Sequence, residues 1–138
     1  LVTEDIEALI KGFDNLDKHI ENMRYFGFRP VIAINRFDSD TKSEIDILIK
    51  HCQMRNVKVA LNESWAIGGE GAIDLAHKVL EEISDCPDCF RPLYEPEWSL
   101  EKKIDTICTK MYGADHVEYT IKAKTSIKRK SCNIISTG

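Results

Sequence analysis

Apolar residues fall along this chain in two different patterns. Ile6, Leu9, Ile10, Phe13, Leu16, Ile20 and Met23 recur at helical spacing, with Glu4, Asp5 and Glu7 at the positive end of the helix dipole. They predict a long amphipathic helix that stops at Gly27; Gly12 inside it costs about 1 kcal/mol relative to Ala, which packing of the stripe offsets. Val31-Ile32-Ala33-Ile34 is instead an unbroken apolar run between Pro30 and Asn35, the pattern of a strand buried on both faces of a parallel sheet. A second run, Val57-Lys58-Val59-Ala60-Leu61, also ends in polar residues and an aromatic, Asn62-Glu63-Ser64-Trp65. Between the runs, Asp38-Ser39-Asp40 makes a turn, and Thr41-Lys42-Ser43-Glu44 forms a capping box opening a helix with Ile45, Leu48, Ile49 and Cys52 on one face. Strand, helix and strand read as a βαβ unit with a right-handed crossover, so the expected class is α/β, with parallel strands covered by helices.

In open α/β sheets ligands bind outside the carboxyl ends of the strands, and Phe37 and Trp65 fall there. Gly68-Gly69-Glu70-Gly71 then reads as a glycine-rich turn into a third helix with Ile73, Ala76, Leu80 and Ile83 inward. Such a turn could nest an anion at the helix N-terminus, or simply be tight. After a loop with Pro87, Pro92 and Pro96, Ser99 caps a fourth helix carrying Leu100, Ile104, Ile107, Cys108 and Met111, closed by Gly113. Residues 1–120 are thus read as one α/β segment. From Ile121 to Gly138 the chain turns basic, through Lys122, Lys124, Lys128, Arg129 and Lys130, without a clear period, and reads as a tail, disordered or divergent. The chain opens inside a helix with no initiating strand, and two strands are too few to cover both faces. The expectation is a fragment of a larger α/β protein.

At 138 residues the chain is expected to be one domain, burying roughly 68% of its unfolded surface. A net charge of -4 gives no support to a nucleic-acid partner. No apolar run approaches the roughly 20 residues of a membrane span, and no signal-peptide pattern opens the chain, so a cytoplasmic setting without a membrane partner is expected. Five cysteines without framework spacing argue for reduced thiols, and Cys86-Pro87-Asp88-Cys89, a lone C-x-x-C, reads as an ordinary loop rather than a metal or redox site. No nucleophile-base-acid set, H-E-x-x-H helix, paired carboxylates or phosphate loop stands out, so no catalytic residue and no metal ligand is assigned.

The combination of motifs is more specific than any part. Pro30 through Phe37, then Ser39-Asp40-Thr41 and Glu44, then Trp65-Ala66 with Gly68-Gly69-Glu70-Gly71, resemble formate–tetrahydrofolate ligase. Lys11-Gly12-Phe13 with Asn15-Leu16, His19 to Asn22, Pro92-Leu93-Tyr94, Lys103-Ile104 and Tyr112-Gly113-Ala114-Asp115 extend the resemblance over roughly residues 4 to 124. It implies a piece from the C-terminal half of an enzyme of P-loop NTPase-like, three-layer fold. That enzyme uses ATP and Mg²⁺ to activate formate as formyl phosphate and passes the formyl group to N10 of tetrahydrofolate. The resemblance further implies that Phe37 and Trp65 flank the flat ring of the folate, with Asn35, Arg36, Gly68, Gly69 and Gly71 also at the substrate site. It implies ATP, formate and folate as the small-molecule partners of a full-length homo-oligomer, with no cofactor held tightly by this segment. Ile67 replaces a frequent Lys of the family and Ala72 a second glycine, which weakens any anion held there. The family's phosphate loop lies upstream, so this segment alone is expected to be inactive.

Two other readings compete. Asn35-Arg36-Phe37-Asp38 also resembles the N-K-x-D element of GTPases, in which the Asp reads guanine; a folate clamp does not need Asp38. A non-catalytic module supporting oligomer contacts through the apolar first helix is the third.

Overall fold

The computed structural model describes residues 4–85 and 88–135, without the side chains of residues 130–135. The chain divides into two compact units, Leu1–Phe90 and Arg91–Gly138. The change in composition at Ile121 therefore does not coincide with the division between units.

The first unit begins with α1 (Ile6–Tyr25), whose N-terminus is capped by the Asp5 carboxylate accepting from the Ala8 N–H at 2.9 Å. It ends where expected: Gly27 takes φ +81°, and the Gly27 and Phe28 amides donate back to the Arg24 and Met23 carbonyls. Strand β1 (Val31–Asn35), α2 (Lys42–Met54) and β2 (Lys58–Asn62) follow. The two strands are parallel and paired from Val31↔Lys58 to Asn35↔Asn62. The capping box at α2 is present in both halves, Thr41 Oγ1 accepting from the Glu44 amide and Glu44 accepting from the Thr41 amide.

Helices α1 and α2 are joined by a polar staple that hydrophobic periodicity does not reveal. Asp17 accepts from Arg55 Nε at 3.0 Å and pairs with His51 Nε2 at 2.8 Å, while Phe13 stacks on the His51 ring at 3.9 Å between centroids. Burial alone would raise the Asp17 carboxyl, but hydrogen bonds from His51 and Arg55 outweigh it, and its pKa lies below the ordinary value. Next to this staple Cys52 is fully buried, and burial pushes its thiol pKa up. At the start of α1, the Asp5 amide donates to Glu44 across the helix pair at 3.0 Å.

Beyond β2 the chain forms a short helix α3 (Ser64–Ile67), a 3-10 turn (Gly68–Ala72) and α4 (Ile73–Asp85). Two expectations are corrected in this part of the unit. The strands are not buried on both faces: Ile34 and Ala60 are buried, but Ala33 is exposed and Val31 and Ile32 are only half covered. The expected inner stripe of α4 faces outward, with Ile73, Leu80 and Ile83 52–60% exposed. The physical reason is shared. Two strands offer too little surface for a wide apolar helix face, and α4 meets β2 through other residues, Lys78 Nζ donating to the Val59 carbonyl at 2.7 Å and Glu82 pairing with Lys58 at 3.0 Å.

In the second unit Ser99 caps α5 (Leu100–Thr106), its Oγ accepting from the Lys102 amide, and the chain widens into one π turn (Ile107–Met111) before Gly113 at φ +69°. The stretch read as a tail is helical over α6 (Ile121–Ile135), opened by Thr120 Oγ1 accepting from the Ala123 amide; Ile127 is buried. Lys and Ala are strong helix formers, which compensates for the weak apolar period. Tyr119 ties the approach to α6 onto α5 by donating to Asp105 at 2.6 Å; burial, then that carboxylate, push its pKa up to about 12.

Cys52 and Cys108 are free, whereas Cys89 is disulfide-bonded, which corrects the expectation of reduced thiols throughout. Cys86 and Pro87 of the C-x-x-C lie outside the described residues. Among the described residues there is no helix long and apolar enough to cross a membrane, and no cluster of His, Cys, Asp and Glu able to hold a metal ion.

Candidate functional site

Because Asn35 is paired with Asn62, both strands release the chain at the same level, and the segments bearing Phe37 and Trp65 leave the sheet side by side. The first is fixed by a reciprocal pair of bonds: the Phe37 amide donates to the Asp40 carboxylate at 2.8 Å, and the Asp40 amide donates to the Phe37 carbonyl at 3.0 Å. The second segment enters a short helix before the glycine-rich turn. The Glu63 carbonyl accepts from the Ala66 and Ile67 amides at 2.9 and 3.1 Å, placing Trp65 in the single turn of α3.

Across the edge, Asn62 Nδ2 donates to Asn35 Oδ1 at 2.9 Å, and Asn62 Oδ1 accepts from the Ser64 amide at 3.2 Å. The Arg36 amide donates to the Asn62 carbonyl at 3.1 Å, and Arg36 Nη1 donates to Glu63 Oε1 at 2.6 Å. Asn35 and Arg36, both candidates from sequence, are therefore engaged with the neighbouring strand end. Phe37 and Trp65 are the opposite case. They are 55% and 75% exposed, and neither stacks on another ring among the described residues. Two large aromatics on tied backbone are thus left uncovered at the carboxyl edge.

The three candidate glycines differ in what the fold asks of them. Gly68 has φ +68°, a conformation that side chains other than hydrogen oppose. At Gly71 a Cβ would lie 2.4–2.7 Å from the backbone of Glu63 and Ser64, so only glycine lets the turn press against the end of β2, where its carbonyl accepts from the Glu63 amide. Gly69 has no such demand; a Cβ there would meet nothing within 4 Å. Ile67 is exposed beside this turn.

A hollow of about 1000 Å³ opens at the other end of the strands, among Arg24, Arg55, Lys58, Lys78 and Glu82. Its basic character is largely spent within the fold. Arg55 pairs with Asp17, Lys58 with Glu81 and Glu82, and Lys78 with Asp74, while Arg24 donates to the Arg55 and Asn56 carbonyls at the end of α2. An anion entering there would have to displace those partners.

A family model described as Formate–tetrahydrofolate ligase matches residues 1–136. The chain belongs to the formate–tetrahydrofolate ligase family. Formate–tetrahydrofolate ligases from Staphylococcus aureus strains JH9 and Newman are each 43% identical to it over 129 residues, which cover 94% of this chain. The matched region is 23% of the length of those relatives, so this chain corresponds to a minor part of a ligase of that size.

Asn62 and Glu63 were not singled out from sequence as site residues. For Asn62 the signal was the matching polar end of each apolar run; Glu63 carried none, because its bonds depend on the glycine turn folding back onto the end of β2.

Proposed function

We propose that this chain supplies the folate-binding edge of a formate–tetrahydrofolate ligase, with Phe37 and Trp65 as the two faces that hold the pterin ring. The observation that carries the reading is the pair of exposed aromatics on bonded backbone at one carboxyl edge, in a chain of this family. Each stack adds about 0.5–1.5 kcal/mol beyond the burial of the ring. Gly68 and Gly71 shape the floor beside Trp65, and Gly69, bare for no reason internal to the fold, leaves room for the ligand to approach the backbone.

In this reading the whole enzyme, cytoplasmic and homo-oligomeric, has a P-loop NTPase-like, three-layer fold and formylates N10 of tetrahydrofolate through formyl phosphate. ATP and Mg²⁺ are handled by regions of the ligase outside this segment, because the charge neutralisation that a triphosphate requires is not assembled at this edge, where Arg36 is committed to Glu63. The segment alone orients the acceptor and does not turn over. Equilibrium binding tests the reading: a reduced folate binds, GTP does not, and Asp38→Ala leaves folate affinity unchanged. Binding of GTP that Asp38→Ala abolishes, with no response to folate, would replace the assignment by a guanine site.

A further inference from the structure

Strand pairing fixes Asn35 against Asn62, but it does not by itself fix the segments beyond them. Those segments carry the two aromatics, and four bonds that organise them converge on one residue. The Glu63 amide donates to the Gly71 carbonyl at 3.0 Å, and the Glu63 carbonyl accepts from Ala66 and Ile67. Its carboxylate accepts from Arg36, the residue immediately before Phe37, at 2.6 Å. The backbone half of this junction holds α3 and the glycine turn, and the tight approach of Gly71 to the Glu63 carbonyl carbon leaves it little play. The side-chain half reaches the other segment.

We infer that Glu63 is a positioning residue that sets the Phe37 and Trp65 arms relative to each other, and that Arg36 acts through Glu63 rather than on the ligand. This rests on the folate reading of the edge. The ion pair is half open to water, with the Arg36 and Glu63 side chains 48% and 36% exposed, so its effect on global stability is small. Its geometry matters more than its energy. It spans 27 residues of sequence, and it joins the residue beside one aromatic to the residue two before the other. It is the side-chain tie from the Phe37 segment to the residue whose backbone holds the Trp65 turn.

A double-mutant cycle separates the two roles. Glu63→Gln and Arg36→Gln in this chain should each weaken binding of 5-formyltetrahydrofolate roughly 3- to 5-fold, with the double variant no weaker than either and the thermal melt unmoved. Additive losses would show that Arg36 touches the ligand directly and would overturn the inference. A second readout needs no ligand. With Phe37→Trp as the reporter in a Trp65→Phe, Trp98→Phe background, time-resolved anisotropy should show more fast motion in either single variant and recover in the charge swap Arg36→Glu with Glu63→Arg. Unchanged motion in both single variants would overturn the positioning role. If the chain fails to bind the folate, or Phe37→Ala does not weaken binding while the anisotropy result holds, the folate reading fails and the positioning junction stands.

Discussion

The two ends of the β1–β2 pair teach opposite lessons about where a site lies. The amino-terminal end has a hollow of about 1000 Å³ and many cations, yet those of Arg55, Lys58 and Lys78 meet carboxylates and that of Arg24 meets backbone carbonyls. The carboxyl end has a cross-tied backbone, and its two large aromatic side chains are left in water. Polar groups satisfied by the fold are structural whatever space surrounds them. Apolar groups held rigid and uncovered ask for a partner.

The sharpest break of this contrast is at Gly71. Gly71→Ala forces a Cβ into backbone that cannot swing aside and should cost about 3 kcal/mol, the upper end of overpacking penalties, in urea unfolding. Gly69→Ala should change stability by less than about 1 kcal/mol, since nothing occupies the space, and should act on folate affinity instead. Equal losses of stability at both positions would remove the distinction drawn between the glycines.

Phe37→Ala should weaken folate binding by about 1–3 kcal/mol through lost stacking and buried area, and leave the melt nearly unchanged because the ring is already more than half exposed. Asp17→Asn, away from both ends, should cost about 1–2 kcal/mol of stability by weakening the staple to His51 and Arg55, without touching folate affinity. The sign of its pH dependence follows from a carboxyl pKa lowered on folding. The stabilisation is fully present above the ordinary value of 3.8 and is lost as pH falls through the lower folded value, so the wild-type and Asp17→Asn melts should converge in acid. Smallest is Lys58→Met at the amino end. Its cation is held by Glu81 and Glu82 at a solvent-screened position, so the thermal melt should barely move and folate binding should stay unchanged.

How much was readable in the sequence depends on what kind of force sets each feature. The βαβ unit was legible because continuous apolar runs and a capping box are local signals, and the strands differ from the expected bounds by a residue at their ends. The outward face of α4 was not, because periodicity says which residues share a face and not how much sheet is there to receive it. The α1–α2 staple was hidden for a related reason: Asp17 and His51 are polar residues 34 apart in sequence, and only the packing of the helices brings them together. At the site, Phe37 and Trp65 could be placed beyond the strand ends from pattern alone. The junction at Glu63 could not, since it depends on a glycine turn folding back onto the end of β2.

The most direct measurement is the tryptophan emission of a Trp98→Phe variant titrated with a reduced folate. Trp98 lies beneath the Lys102 ammonium at 3.6 Å, in the second unit, and its removal leaves Trp65 as the reporter. The account predicts saturable quenching by the folate, weakened in Phe37→Ala, and none by GTP. Emission that stays constant through the folate titration, or that GTP quenches instead, would contradict it.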